Sequence, residues 1–419
     1  MTVSRRAYLP DTLNELAHLR EQFRARGVAV TDLSDSNPTN HGLFDEKLLH
    51  VVAEATRHAT HYQPHPRGSL PAREALAARF GGSPDEYWLT ASTSEAYNWL
   101  FTLLADPGGL VALPTPGYPL IDPLAKLAGL GTVEYRAIYL HPHGWEYDLD
   151  SVATAATAAQ AFTVVNPNNP TGGYVDEAAA TAIATILAKT RTPLIADEVF
   201  FPFTLDDELF APNDKPETPA NLAGTEAAAF EHLPPRQAQP LKPTRLAAAE
   251  GIVTFSLDGL SKLLAAPGLK LGWIRLTGPA VLTREYARGL DLIADSYLAV
   301  GSPIALALPA LLDHADATVT RINARLAANL ASARNLFSES DGFRVRRSAG
   351  GWMTLVDTPP LAPGIELAHA VMRRGRLAVH PGWFYDLDSP RTLALSLLPE
   401  PTSFAANCRT LKKVIELIE

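Results

Sequence analysis

The stretch Ser256-Leu-Asp-Gly-Leu-Ser-Lys-Leu-Leu-Ala-Ala-Pro-Gly-Leu-Lys-Leu-Gly-Trp273 places one lysine, Lys262, in an apolar neighbourhood. The largely apolar run 252–255 precedes it, and leucines flank it on both sides. A lysine side chain usually stays in water. Burial disfavours the ammonium form and lowers the pKa of a lysine, so the neutral amine becomes available as a nucleophile towards an aldehyde. The alternative is a lysine that buries only its stem and extends its amine to solvent.

The length and composition bound the class of protein. A chain of 419 residues is long enough for two domains, or for one domain with a large appendage. Apolar residues make up 47% and charged residues 19%, which is typical of a globular enzyme. The net charge of −9 argues against a nucleic-acid partner, because such proteins use clustered Lys and Arg.

Cysteine content and hydropathy indicate the compartment. The single cysteine, Cys408, excludes an intrachain disulfide and a cysteine-rich metal site, so we predict no metal ion. No stretch approaches the roughly 18 consecutive apolar residues of a membrane span, and residues 1–10 lack the apolar run of a signal peptide. We therefore predict a cytoplasmic protein without a membrane partner.

Polar motifs follow the strands that the pattern predicts. The apolar strand predicted at 161–165 leads into Asn166-Pro-Asn-Asn-Pro-Thr-Gly-Gly173, and an Ala-rich helix is predicted over 176–190. The next predicted strand, 193–200, carries the carboxylate of Asp197. Ligands bind at the carboxyl ends of parallel strands in open α/β sheets, so we predict the functional site at this edge.

A candidate anion site lies earlier in the chain. The segment 88–104 is typical of a short strand followed by a helix, with Ser92 and Glu95 as a candidate capping box. The first turn of a helix has free backbone amides, which can bind an anion such as phosphate. The alternative is a well-capped helix without a ligand.

In their order along the chain, these motifs resemble those of the class I and II aminotransferases, the fold-type I enzymes that use pyridoxal 5′-phosphate (PLP). The Ser261-Lys262 pair, the segment 267–272 and the Asn-Pro-Thr-Gly motif at 169–172 carry the resemblance, which covers nearly the whole chain. It implies an α/β fold in which a large domain, with a mostly parallel seven-stranded sheet, is joined to a smaller α+β domain.

The resemblance also implies domain boundaries. We expect the large PLP-binding domain at 49–299 and a small domain formed by both termini, at 1–48 and 300–419. An acidic, Pro-rich insert at about 206–250 lies inside the large domain. Its pattern leaves open whether it is a lid, a dimer arm or decoration.

A role for each motif follows from the same resemblance. Lys262 holds PLP as an internal aldimine, a Schiff base, and then moves the substrate's α-proton. Asp197 keeps the ring nitrogen protonated, which PLP requires to accept electrons, and Asn169 hydrogen-bonds the ring hydroxyl. The other cofactor-binding residues that the resemblance implies are Ser92, Thr93, Ser94 and Lys270 around the phosphate, Tyr118 stacked on the ring, and Tyr62 reaching over from the partner subunit of a homodimer with shared active sites.

Three positions around the cofactor depart from the family pattern. Lys270 stands where the family usually has an arginine, so it keeps the charge but loses the two-pronged hydrogen bonding to phosphate. Gly259 replaces a phosphate-binding serine, and Phe200 replaces a tyrosine that contacts the ring hydroxyl. Without that phenol, we expect the Schiff base to be more basic.

The substrate side departs most from the pattern. Ala394 occupies the position of the arginine that, in the family, binds the substrate α-carboxylate with two hydrogen bonds. An amine or sugar-like donor without that carboxylate would not need the arginine. The candidates for the substrate side are three arginines and two polar residues of the N-terminal Asn-Pro segment: Arg391, Arg346, Arg347, Ser36 and Asn37.

We therefore predict a PLP-dependent aminotransferase that moves an amino group from an amino acid to a 2-oxo acid, with a small-molecule donor and acceptor. The alternative is an enzyme of the same fold with a different outcome, such as a lyase, a decarboxylase or an oxidase, because the carboxylate arginine is missing. A non-catalytic PLP-binding regulator is disfavoured, since residues 1–60 show neither the basic charge nor the length of a DNA-binding domain.

Overall fold

The computed structural model describes residues 3–7, 15–141, 143–205, 243–249, 251–298, 300–361 and 366–418. The strands within these ranges, numbered in chain order, are β1 (Thr31–Asp32), β2 (Tyr87–Thr90), β3 (Leu110–Thr115), β4 (Gly131–Leu140), β5 (Gly144–Tyr147), β6 (Ala161–Val165), β7 (Leu194–Asp197), β8 (Thr254–Gly259), β9 (Gly272–Thr277), β10 (Arg344–Val345), β11 (Met353–Asp357), β12 (Leu377–Ala378), β13 (His380–Pro381) and β14 (Thr392–Ser396). The α-helices are α1 (Glu15–Ala25), α2 (Lys47–His58), α3 (Leu70–Phe80), α4 (Thr93–Leu104), α5 (Ile121–Ala128), α6 (Leu149–Ala158), α7 (Glu177–Thr190), α8 (Leu260–Leu263), α9 (Ala280–Tyr297), α10 (Ser302–Leu312), α11 (Ala315–Leu336), α12 (Leu367–Gly375) and α13 (Pro401–Glu416).

The larger sheet has eight strands among the described residues, in the order β2-β9-β8-β7-β6-β3-β4-β5. Strands β8, β7, β6, β3 and β4 pair in parallel, whereas β9 and β5 run antiparallel to their neighbours. The prediction of an α/β fold with a mostly parallel sheet is confirmed. The eighth strand, β5, is added by a hairpin with β4 that the sequence patterns do not predict.

Helices cover both faces of this sheet. On one face α4, α5 and α9 bury an apolar core against β3 and β8. On the other face α6 and α7 pack against β4 and β6. The residues of β6 are therefore buried on both sides, which explains the nearly uninterrupted apolar sequence Ala-Phe-Thr-Val-Val.

The smaller sheet is antiparallel, in the order β10-β11-β14-β13. The leucines of β14 pack with α11 and α13 in one apolar core. Strand β1 pairs with β12, and the backbone N–H of Ser396 donates to the carbonyl of Leu33 at 2.7 Å. This sheet with its helices is the smaller α+β part of the fold, and the segment after α1 lies beside the end of β14.

The insert predicted at 206–250 is described only at 243–249, and its other residues lie outside the described ranges. The described part runs beside the start of α7, where Thr244 donates its backbone N–H to Val175 at 3.0 Å. Within the described part of the chain, no helix combines the length and the apolar composition that a membrane crossing needs.

Candidate active site

The register of the larger sheet brings the predicted motifs to one edge. Thr90 of β2 pairs with Gly272 of β9, which pairs in turn with Gly259 of β8. A Cβ placed on Gly272 would lie 3.3 Å from the carbonyl carbon of Ser92, so the start of α4 lies directly against β9. The chain segments that follow β2 and β8 therefore meet at the same edge.

The neighbouring strands extend this edge. Leu257 of β8 pairs with Asp197 of β7, and Asp197 pairs with Val165 of β6. Asn166 follows directly, and its backbone N–H donates to the carbonyl of Asp197 at 2.8 Å. The predicted lysine, carboxylate and asparagine motifs thus leave successive neighbouring strands at the carboxyl end of the parallel sheet.

Lys262 lies on the short helix α8, with a half-buried side chain. Its Nζ is 5.0 Å from the centroid of the Phe200 ring and 4.9 Å from that of Trp352. Burial lowers the pKa of Lys262 to about 8, against the opposing attraction of Asp197 for the ammonium form. The amine therefore has a substantial neutral fraction near neutral pH, which a nucleophile towards an aldehyde needs.

Asp197 is a buried carboxylate at the end of β7. Burial raises its pKa, while hydrogen bonds to the charged form and the nearby Lys262 lower it. The backbone N–H of Val199 donates to Oδ1 at 3.3 Å, and the Tyr97 hydroxyl donates to Oδ2 at 3.0 Å. The carboxylate is thus held in a fixed orientation within the apolar core.

The Asn-Pro motif contains three asparagines with different surroundings. Asn166 donates to Glu198 and to the carbonyl of Thr244, and Asn168 donates to the carbonyl of Pro116. These two side chains hold the loop in place. The Oδ1 atom of Asn169 is buried and has no hydrogen-bond partner within the described structure, so this oxygen is available to a ligand.

The start of α4 has the geometry of an anion site. Ser92 accepts a hydrogen bond from the backbone N–H of Glu95 at 3.2 Å, and the Glu95 carboxylate accepts from Ala91 at 2.5 Å. The capping box is therefore displaced by one residue from the usual pattern, because Glu95 bonds the residue before the cap. Thr93 and Ser94 occupy the first turn, where backbone amides point out of the helix. Lys270 is exposed and has a left-handed φ of 52° immediately before Leu271 and β9.

The structure gives a steric reason for Gly259. We expect Gly259→Ser to lower the free energy of unfolding by about 1–3 kcal/mol rather than to add a phosphate contact. Its Cβ would lie 3.0 Å from the carbonyl oxygen of Leu271 and 3.1 Å from the Cα of Gly272, and both are backbone atoms. Chemical denaturation measures the effect, with Gly268→Ser as the control because a Cβ there meets open space. Equal stability of the two variants, with tighter PLP binding by Gly259→Ser, would contradict this explanation.

The other predicted cofactor residues lie in exposed loops. Tyr118 is 43% exposed, and its loop is fixed by a hydrogen bond from the N–H of Gly117 to the carbonyl of Tyr385. Tyr62 is 67% exposed. Within this chain, Tyr62 therefore has a side chain that is free to reach another molecule.

The substrate-side candidates are separated in space. Asn37 accepts hydrogen bonds from the backbone and hydroxyl of Thr39, so it caps a short 3-10 helix, while its neighbour Ser36 is half-buried. Both follow the segment that contacts the Ser396 end of β14. Arg391 precedes the opposite end of this strand, roughly 16 Å away at about 3.3 Å per residue, and donates to Thr358. The structure therefore does not bring Arg391 together with Ser36 and Asn37, although Arg391 directly precedes Thr392, which Arg346 contacts.

Ala394 offers no polar contact of its own. It is fully buried in an apolar cluster with Met353, Leu355 and Tyr385. On the same face, Arg346 donates to Asp357 at 3.0 Å and to Thr392 at 3.3 Å, so its guanidinium is already engaged. Arg347 is half-buried and precedes the turn that leads to Trp352.

Two aromatic residues at the site are not predicted from the sequence. Tyr97 contacts Asp197 from α4, and Trp352 lies beside Lys262 from the loop before β11. Both occur in apolar segments where a large aromatic residue is typical of core packing. The one available signal is the Gly350-Gly351 pair, which marks the turn immediately before Trp352.

A lysine with a lowered pKa, a buried carboxylate and a helix start suited to phosphate lie at the carboxyl edge of this sheet, and these are the groups that a fold-type I PLP enzyme needs. The chain belongs to the class I and II aminotransferase family, whose model "Aminotransferase class I and II" matches residues 29–397. Members of this family depend on PLP.

Individual relatives support the same family and fold. Alanine aminotransferase of Mycobacterium tuberculosis is 26% identical over 310 residues, which cover 71% of this chain but only 64% of the relative. An aminotransferase from Escherichia coli superposes with a TM-score of 0.81 at 18% identity, covering 99% of this chain and 98% of the other. Alanine aminotransferase from Pyrococcus furiosus gives a TM-score of 0.79 at 19% identity, covering 99% and 100%.

The residues at the edge fit PLP. The buried, unpartnered Oδ1 of Asn169 needs a hydrogen-bond donor, which the ring hydroxyl of PLP can provide. The first turn of α4 offers amides for a phosphate, and Lys262 offers an amine for an aldehyde.

Proposed function

We propose that this protein is an aminotransferase that uses PLP to move an amino group from an amino acid to a 2-oxo acid. The observation that carries this proposal is that Lys262, whose pKa is lowered to about 8, lies close enough to the buried carboxylate of Asp197 for their charges to interact. When bound, PLP supplies an aldehyde for the amino group and a ring that accepts the electron pair of the broken C–H bond.

Lys262 has two tasks in this proposal. Its neutral amine would hold the cofactor through the aldehyde that PLP supplies, because a neutral amine is a nucleophile towards an aldehyde. When it does not hold the cofactor, the free amine of Lys262 would take the α-proton from the substrate and give it back as general base and acid. Phe200 and Trp352 flank Nζ, so water has limited access to the amine.

Asp197 would hold a proton on the ring nitrogen of PLP. A buried anion next to a nitrogen base favours the protonated form of that base. Tyr97 and Val199 donate to the carboxylate and therefore help to keep it ionised despite burial.

The remaining residues position the cofactor. Asn169 would accept a hydrogen bond from the ring hydroxyl. Phe200 lies near the amine of Lys262 and has no hydroxyl that could add a second contact. The residues that we propose for the phosphate and for stacking on the ring are Ser92, Thr93, Ser94, Lys270 and Tyr118.

The pKa of Lys262 sets a pH dependence for cofactor attachment. We expect the association rate of PLP with the cofactor-free chain to rise about tenfold from pH 7 to pH 9 and then level off, because the neutral fraction of the amine rises through a pKa of about 8. Stopped-flow absorption measures the rate. An Nα-blocked lysine peptide is the control, since its rate should still rise above pH 10, near the usual lysine pKa of about 10.4. A midpoint near that value in the protein would contradict the proposed environment of Lys262.

The assembly and domain boundaries are part of the proposal. We propose a homodimer with shared active sites, in which Tyr62 contacts the cofactor phosphate of the other subunit. Exposed apolar side chains near the end of α9, Leu292, Tyr297 and Leu298, support a protein contact there.

We also propose a large domain at 49–299, which contains the whole larger sheet, and a small domain from 1–48 and 300–419. Helix α10 packs against α2 and α3 and therefore lies at the junction of the two.

The substrates are proposed from chemistry and from the relatives. Two relatives are named alanine aminotransferases, which supports an amino acid as the donor and a 2-oxo acid as the acceptor. Ser36 and Asn37 stay predictions for the substrate side, and Arg391 is not part of the proposed site.

We propose a cytoplasmic location, with the buried Cys408 reduced.

The proposed function is tested by a half-reaction. The PLP-loaded protein is mixed anaerobically with single amino acids and amines, and the visible absorption of the bound cofactor is followed. We expect one donor to bleach this band with formation of pyridoxamine phosphate and a 2-oxo acid, and a 2-oxo acid acceptor to restore the band. Carbon products without pyridoxamine phosphate would contradict transamination and would indicate a lyase, a decarboxylase or an oxidase.

A further inference from the structure

Tyr97 provides a contact to Asp197 that the motifs do not include. It lies on α4 and is only 3% exposed, with its ring 5.6 Å from that of Phe101 in the apolar core. Its hydroxyl lies 3.0 Å from Oδ2 of Asp197. The two residues are 100 positions apart in the chain, so the fold alone creates this contact.

The chemistry of this contact favours the ionised carboxylate. A buried phenol needs a hydrogen-bond partner, and a carboxylate is a strong acceptor. A hydrogen bond that is donated to the charged form stabilises that form. The other groups acting on Asp197 are the Val199 amide on its own segment, Lys262 on α8, and Asp258 on β8, whose charge repels it.

The geometry of the contact also fixes the carboxylate. One oxygen accepts from Val199 and the other from Tyr97, so rotation about the terminal bond would break two hydrogen bonds. A carboxylate that must meet a ring nitrogen gains from such a fixed orientation, because little reorganisation is needed when the ligand binds.

We propose that Tyr97 is a positioning residue, which orients Asp197 and keeps it ionised towards the ring nitrogen of PLP. This inference rests on the proposed role of Asp197.

The test compares Tyr97→Phe with Tyr135→Phe as a matched control. Tyr135 is also fully buried, but its hydroxyl donates to the backbone carbonyl of Thr163 at 2.7 Å and does not contact Asp197. The equilibrium constant for PLP binding to the cofactor-free, full-length chain is measured by visible absorption. Each substitution is made in the natural sequence and in an Asp197→Asn background.

We expect Tyr97→Phe to weaken PLP binding about tenfold in the natural sequence and less than about twofold in the Asp197→Asn background. Tyr135→Phe should change binding less than about twofold in both. The acid limb of the transamination pH profile should move up by about one pH unit in Tyr97→Phe, because loss of the donor raises the pKa of Asp197. Equal weakening in both backgrounds, or an equal effect of Tyr135→Phe, would overturn the proposal.

If Tyr97→Phe does not accumulate as folded protein, Tyr97→Leu is measured in its place, since leucine is also apolar and lacks the hydroxyl. The protein of natural sequence distinguishes a failure of the proposed function from a failure of the role of Tyr97. A natural protein that neither binds PLP nor transaminates refutes the proposed function. A natural protein that does both, with Tyr97→Phe indistinguishable from Tyr135→Phe, refutes only the role of Tyr97.

Discussion

Lys262→Ala is expected to lower the transamination rate by roughly a hundred- to ten-thousand-fold, because the substitution removes both the nucleophile and the group that moves the proton. It should also abolish covalent attachment of the cofactor. Borohydride reduces a carbon–nitrogen double bond and makes the link permanent. Intact mass spectrometry after reduction should therefore show one added cofactor in the natural protein and none in the variant.

Lys189→Ala is the control for this experiment. Lys189 is exposed on α7, so its removal should leave the rate and the mass of the reduced protein unchanged. If Lys262→Ala still acquired one cofactor on reduction, another amine would have to be the attachment point, and the role of Lys262 would be wrong.

Asp197→Asn is expected to have the second large effect, a loss of roughly a hundred- to ten-thousand-fold in rate. The neutral amide cannot hold a proton on the ring nitrogen, and loss of one partner of a buried charge pair costs about 3–5 kcal/mol. Steady-state kinetics measure the loss at saturating PLP.

Asp258→Asn is the matched control for that substitution. Asp258 is also buried, but it follows Leu257 on β8 and therefore points to the other face of the sheet from Asp197. Burial raises its pKa to about 7, so the neutral form is already common and the amide should alter the rate less than about threefold. Similar losses for the two variants would show that a buried charge in general, rather than the position of Asp197, is required.

Local patterns were sufficient to predict the strands and the helix that position the candidate site. The strand predicted at 161–165 has the same bounds in the structure, because a strand buried on both faces is apolar throughout. The helix predicted from 176 begins at Glu177, and Asp176 is its cap, accepting from the N–H of Ala179 at 2.8 Å. Parallel strands order their carboxyl ends along one edge, so the convergence of Asn166, Asp197 and Lys262 follows from the strand pattern.

Contacts between distant segments could not be predicted in this way. Tyr97 and Trp352 lie in segments whose apolar character indicates only burial, and their partners are fixed by the packing of α4 and of the loop before β11. The presence of Gly259, where the family has a serine, also depends on a contact between distant segments. The closeness of β9 that requires a glycine is a property of the folded sheet.

The substrate side could be predicted from the sequence only in part. The absence of an arginine at Ala394 is evident from the sequence. Two other features depend on the register of the smaller sheet: the hydrogen bond of Arg346 to Asp357, and the distance of Arg391 from the Ser396 end of β14. The register therefore argues against Arg346 and Arg391 as direct replacements for the arginine that is missing at position 394.

The most direct test of the proposed function follows the nitrogen atom itself. The full-length protein is incubated with PLP, a ¹⁵N-labelled amino acid that serves as donor in the half-reaction, and an unlabelled 2-oxo acid, and the products are analysed by mass spectrometry. We expect the amino acid formed from the 2-oxo acid to carry ¹⁵N with the natural protein and not with Lys262→Ala. Consumption of the labelled donor with release of ¹⁵N-ammonia, and no label in a new amino acid, would contradict an aminotransferase function.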